Sequence, residues 1–228
     1  MNGKWLIVNE LENKFEMKKN KIFWVLVFII NHLPLTIYSQ SVETYAGNNR
    51  AGVDLMWFKK FKNEKQESTP ILFFSRNRAS VDYHNSPTAF GSTNAISYNF
   101  ENGFGFVAVG SFLNSGFTPK LGVQYFKQKG DFMFFGWLVG DMEKEGSLDL
   151  FGLFRYQPKI GENLKLFSQA ELFPVYSPSS EAWNLTERLR LGLKYQDFAG
   201  GLMADFNQIG KNSFQSTQNI GVFLRHEF

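Results

Sequence analysis

From residue 40 onward, apolar and polar residues alternate in segments of about ten, separated by Gly, Pro, Asn, Asp and Ser. The end of the chain is the clearest case. Ile220, Val222, Leu224 and Phe228 fall on one face of an extended strand, and Asn219, Gly221, Arg225 and Glu227 on the other. Residues 185–195 repeat the scheme, with Leu185, Leu189, Leu191, Leu193 and Tyr195 against Thr186, Arg188, Arg190, Gly192 and Lys194. In 163–173, Leu164, Leu166, Ala170 and Leu172 oppose Lys165, Gln169 and Glu171. The segment 131–141 is apolar on both faces, Phe132 and Phe134 opposite Met133, Phe135 and Trp137. No segment after residue 40 has the spacing of an amphipathic helix. Pro70, Pro87, Pro119, Pro158, Pro174 and Pro178 are expected at segment ends or in connections, where they remove no ladder hydrogen bond.

A soluble sandwich would also alternate. Here the polar faces carry charges in rows, while the opposite faces are apolar along most of each strand. A tilted strand crosses a bilayer in about 9–11 residues, the length of these segments. Backbone groups in hydrocarbon need partners within the protein, so strands cross only as a closed barrel. The pattern therefore predicts an all-β fold, a transmembrane, antiparallel, up-and-down β-barrel over residues 40–228, with apolar faces toward lipid and polar faces toward the lumen. Eleven strands are visible in the pattern. Bacterial barrels have even counts, so a short first strand around 41–48 makes twelve; ten is the alternative if 61–70 is an outer loop.

The chain start has a different pattern. Met17 is followed by Lys18, Lys19 and Lys21, the apolar run 22–30 and the small residue Ser39. Nine apolar residues are too few to span a bilayer, and the order basic, apolar, small predicts a signal peptide over 17–39, cut before Gln40. Residues 1–16 then form an upstream extension.

With an export signal, alternating strands and a last strand ending in an aromatic, Phe228, the chain resembles bacterial outer-membrane β-barrels over residues 40–228. Its Gln-Ser start and its Asn-, Lys- and Phe-rich strands are similar to Bacteroidetes-type barrels. The resemblance implies an outer-membrane location, contact with outer-membrane lipid, and an assembly signal at Phe228 read by the insertion machinery. It also implies that the last strand ends in the periplasm. Connections counted back from there alternate, placing 209–216, 174–183, 142–146, 115–116 and 82–88 outside, with 174–183 the longest.

Composition changes this picture little. There are 26 Phe, 8 Tyr, 5 Trp and 20 Gly, as many half-buried strands would need. The absence of Cys excludes disulfides, thiol nucleophiles and Cys-ligated metals, and three His leave little for a metal site. A formal net charge of +3 is too small for a nucleic-acid surface. No cofactor is expected. Arg76, Arg78, Arg155, Arg188, Arg190, Lys194 and Arg225 are expected to line the lumen, with Glu171, Asp205 and Glu227 as partners. That array supports either a narrow channel for small anionic solutes or a closed, salt-bridged structural barrel. The alternative from another class is an outer-leaflet lipid hydrolase using His84 and Ser86, two apart as a base and a hydroxyl would be; the bland reading is a polar loop before Pro87.

Overall fold

The structure, a computed structural model, describes residues 40–84, 88–114, 116–142 and 146–228. The extension 1–16 and the signal segment 17–39 lie outside the described residues. The strands are β1 (Gln40–Gly47), β2 (Arg50–Lys62), β3 (Ser68–Asp82), β4 (Thr88–Asn99), β5 (Phe104–Leu113), β6 (Gly116–Lys129), β7 (Phe132–Asp141), β8 (Leu148–Tyr156), β9 (Leu164–Ser177), β10 (Ala182–Tyr195), β11 (Phe198–Gly210) and β12 (Phe214–Glu227). Each pairs antiparallel with its sequence neighbours, and β1 pairs with β12, closing a twelve-stranded barrel. β1 closes the ladder through Ser41↔Glu227 and Gly47↔Gly221 on one side and Gln40↔Trp57 on the other. The ten-strand alternative fails at 63–67. That segment is a tight turn at the same end of the barrel as Gln40 and Glu227, held by the Asn63 amide donating to the Glu67 carbonyl at 2.9 Å.

The connections are short at both ends. At the end shared with Gln40 and Glu227, here the terminal end, 196–197 is a two-residue turn with Gln196 left-handed (φ 52°). At the opposite or far end, the segment 174–183 is not the long loop expected. β9 runs to Ser177 and β10 starts at Ala182, so only 178–181 connect them. Pro174 lies within β9, in register with Leu185; Pro70 and Pro119 likewise lie inside β3 and β6 rather than between strands. All three sit within four residues of a strand end, where the ladder loses little.

The period-two pattern becomes an inside and an outside. Leu189, Leu191 and Leu193 are about half exposed, whereas Arg190 between them is 4% exposed. On β12, Ile220, Val222 and Leu224 point outward while Asn219 and Arg225 are buried. Outward-facing aromatic residues flank the aliphatic band at both ends. Phe198, His226 and Phe228 cluster at the terminal end with ring centroids 4.4 and 4.3 Å apart, and further round the same end Phe132 stacks on Tyr156 at 4.1 Å. At the far end Tyr176 packs on Trp183 at 4.8 Å and Phe112 on Phe117 at 4.5 Å. Phe104 and Phe112 end β5 eight positions apart, Trp183 and Tyr195 on β10 twelve apart. At a rise of about 3.3 Å and a tilt of about 40°, the aromatic rows stand roughly 20 to 30 Å apart, bracketing the apolar height of outer-membrane barrels.

One patch breaks the outward apolar rule. Ser75 and Asn77 of β3 share the outer face with Ser92 and Asn94 of β4. They satisfy one another sideways: Ser75 Oγ donates to Asn94 Oδ1 at 2.8 Å, and Asn94 Nδ2 to Ser92 Oγ at 3.1 Å. Polar side chains that pair along the sheet escape most of the cost of leaving water.

Candidate functional site

The inside of the barrel is divided into two arcs. Strands β2 to β8 supply an apolar cluster built on Phe58, Phe74, Phe135, Trp137 and Phe151, with Leu72, Val107, Val139 and Leu153 around them. Phe135 packs edge-on against Phe58 at 5.0 Å and against Trp137 at 5.3 Å, and Phe74 reaches Trp137 at 5.3 Å. Phe58 and Phe74 come from β2 and β3, the others from β7 and β8, so these rings meet across the lumen. β7 is apolar on both faces for this reason. Its outer face meets the surroundings and its inner face, Met133, Phe135 and Trp137, fills the barrel.

The other arc is ionic; it overlaps the first at its edges, taking Asp54, Arg76, Arg78 and Arg155 from β2, β3 and β8, and the rest from β1 and β9 to β12. Arg76 of β3 donates to Asp54 of β2 (2.5 Å) and to Glu171 of β9 (2.7 Å). Five strands separate β3 from β9 in either direction around the barrel, so the Arg76–Glu171 pair spans its full width. Arg190 bridges Glu43 (2.8 Å) and Asp205 (2.7 Å). Arg225 holds the second Glu43 oxygen (2.5 Å) and donates to Gln169 Oε1 at 2.8 Å. Arg155 shares that Gln169 oxygen (2.8 Å) and reaches Glu227 at 3.3 Å; Lys194 also pairs with Glu227. The guanidinium planes lie near rings, Arg225 over Phe167 (4.9 Å), Arg190 between Tyr45 (5.7 Å) and Phe223 (5.9 Å). Such stacking suits a planar, weakly hydrated guanidinium better than it would a lysine.

Thus the structure brings Arg76, Arg78, Arg155, Glu171, Arg188, Arg190, Lys194, Asp205, Arg225 and Glu227 into one lumenal network. Two central acids were missed from the sequence, Glu43 and Asp54. Their signal was present: Asp54 stands between Val53 and Leu55, and Glu43 alternates with Val42 and Thr44 in a strand that only parity had called for. Also unforeseen was a smaller cluster on the aromatic side, where Lys120 pairs with Asp141 (2.5 Å) and Asp149 (2.7 Å).

The weakly held cations lie toward the far end. Arg78 pairs with Asp54 at 3.1 Å and with Asp205 only at 3.9 Å; Arg188 meets Glu171 at 3.4 Å. Their side chains are 15% and 23% exposed, against 2–3% for Arg190 and Arg225. They border a cavity of about 290 Å³ above the cross-lumen contacts. Its lining mixes cations and rings: Arg76 and Arg78 follow Phe74 on the inner face of β3, Arg50 comes from β2, Arg188 of β10 neighbours Phe173 of β9, and Val109, Trp137, Val139 and Phe151 come from β5, β7 and β8. Trp137 Nε1 is buried there without a hydrogen-bond partner in the described structure. The carboxylates on the cavity, Asp205 and Asp149, are each held by a cation. Among the described residues no group of His and carboxylates is arranged for a metal ion.

The other two sites of interest lie apart. His84 is exposed in the far-end turn, its amide donating to Asp82 Oδ1 at 2.9 Å, and Ser86 falls outside the described residues. Phe228 is exposed beside His226 at the terminal end, its amide donating to the Gln40 carbonyl at 2.9 Å.

No family model and no curated protein sequence matches this chain. Similar solved structures are barrels. The porin KdgM is 14% identical, with 84% of this chain and 99% of that one covered and a TM-score of 0.47. KdgM in complex with disordered oligogalacturonate gives 12%, the same coverage and 0.47. The porin NanC in a rhombohedral crystal form gives 10%, 83% and 98% coverage, and 0.45.

Proposed function

We propose that this chain is an integral outer-membrane barrel, exported by the segment 17–39 and inserted with the help of its terminal Phe228. In this reading its far-end cavity faces outward and receives small anionic solutes, and the cross-lumen contacts below form a side-chain constriction. The outward apolar band between two aromatic rows supports the membrane location. The observation that carries the solute class is an imbalance. Among the described residues eight paired lumenal cations, Arg76, Arg78, Lys120, Arg155, Arg188, Arg190, Lys194 and Arg225, share seven carboxylates, Glu43, Asp54, Asp141, Asp149, Glu171, Asp205 and Glu227. The surplus is positive, and the two most exposed of these cations, Arg78 and Arg188, border the cavity. Low-dielectric walls concentrate the field of such a surplus on the opening.

A second reading is favoured by the depth of the occlusion: Phe135, Leu153 and Phe167 are 0% exposed, and ion pairs and rings both cross the lumen. On it the barrel is closed and structural. Planar-bilayer recordings separate the two. Wild-type protein should give small, anion-selective conductance, and Glu171→Gln, which unties Arg188 and the Arg76 crossbar, should enlarge it. Silence from both, with each protein folded by its heat-dependent gel mobility, would leave the closed barrel. The hydrolase reading rests on His84 and Ser86 alone, and Ser86 falls outside the described residues.

A further inference from the structure

We propose that the far-end cavity is a binding site for a small carboxylate carrying an apolar ring, rather than for anions in general. The inference rests on reading this cavity as the solute-receiving face, and it narrows the solute. A site for simple anions has no use for rings, yet the cavity that Arg188 borders is also lined by Phe173 on the neighbouring strand β9, Phe151 and Trp137 on β8 and β7, and Phe74 from across the barrel on β3. The two kinds of lining side chain ask for two different things. Arg188 is 23% exposed and holds Glu171 at 3.4 Å, so it can turn toward a second carboxylate without breaking a close pair. The rings pack edge-to-face or tilted among themselves, Phe74 with Trp137 at 5.3 Å and Phe151 with Phe173 at 6.1 Å, and present apolar surface to the opening. Ring pairs of this kind favour one more aromatic partner.

Size limits the guest. A volume of about 290 Å³ is at the small end of ligand pockets, which run from roughly 300 to 1,000 Å³. A single ring with one acidic group fits; a long chain does not.

The test is calorimetric titration of the full barrel in detergent, with detergent alone as blank, using benzoate, acetate, benzyl alcohol and glucuronate. Benzoate should bind saturably at one site, and each of the other three at least about tenfold more weakly. Arg188→Gln should weaken benzoate about tenfold, the usual loss of one charged hydrogen bond. Phe173→Leu, which keeps the side chain apolar but removes the ring, should also weaken benzoate while leaving acetate unchanged. Acetate equal to benzoate overturns the ring requirement. Benzyl alcohol equal to benzoate overturns the charge requirement, and glucuronate equal to it overturns the apolar one. Unchanged affinity in a folded Arg188→Gln protein removes the guanidinium from the site. None of these measurements needs transport, so a silent bilayer with intact benzoate binding would refute the channel and keep the site.

Discussion

The two arcs inside this barrel solve the same problem by different physics. A twelve-stranded barrel is wider than one of about eight, which side chains fill on their own. No long loop among the described residues folds in to occupy the space, so side chains from opposite walls must reach each other. On the β2–β8 side they do so with rings, whose attraction is short-ranged but tolerant of exact placement. On the other side they do so with arginines, which reach further but need every charge matched. Phe58 to Phe135 and Arg76 to Glu171 cross the lumen, yet only the second commits the strands to one register and one protonation pattern. The aromatic arc is thus a filler, and the ionic arc a lock with a few loosely held members.

The sharpest way to break the comparison is Glu43→Ala. Glu43 is 2% exposed and holds both Arg190 and Arg225. Its loss leaves two buried guanidiniums short of a partner, an effect of about 3–5 kcal/mol. Urea unfolding in liposomes should register it, and a change below about 1 kcal/mol would mean the network is hydrated and dispensable.

Next comes Leu191→Arg, which adds an arginine one position from Arg190 but on the outer face, where Leu191 is 56% exposed. The same residue type on the same strand should now cost about 2–4 kcal/mol if the position lies near the bilayer midplane. A neutral result would mean that this face does not meet lipid. Phe135→Leu is milder. Although Phe135 is 0% exposed, an apolar side chain still fills most of the space, and about 1–2 kcal/mol is expected. If it matched Glu43→Ala, the aromatic arc would be as exacting as the ionic one.

How much of this was legible follows from which residues repeat. The barrel and eleven of its strands came from a period of two over many segments, because one face of every strand must be apolar; the twelfth came from parity. The charge rows on β3, β10 and β12 came from the same alternation. Glu43 was lost because β1 has only eight residues, too few to make a pattern by themselves. The aromatic arc was lost because a strand apolar on both faces does not say which face is inside; only the register Phe126↔Phe135 and Leu153↔Phe135 turns Phe135 inward. The cavity was not legible at all. Arg188 and Phe173 sit on β10 and β9, but Trp137 and Phe74 join them from β7 and β3, and no local signal reports a meeting of walls so far apart in sequence.

The mildest change tests whether the lock has a loose rim. Lys194 pairs with Glu227 near the terminal end, and its side chain is 14% exposed, against 3% for Arg190 four residues away on the same face. Glu227 keeps Arg155 at 3.3 Å when Lys194 is neutralised, so no carboxylate is stranded. Water also reaches this end, which lowers the worth of the pair toward that of an exposed ion pair. Lys194→Gln should therefore cost less than about 1 kcal/mol in urea unfolding. Its effect should also add to that of Phe135→Leu, because the two residues belong to different arcs and share no partner. A larger cost, or a failure to add, would show that the ionic arc extends undiminished to the terminal end and is coupled to the rings, and the division of the lumen into filler and lock would not hold.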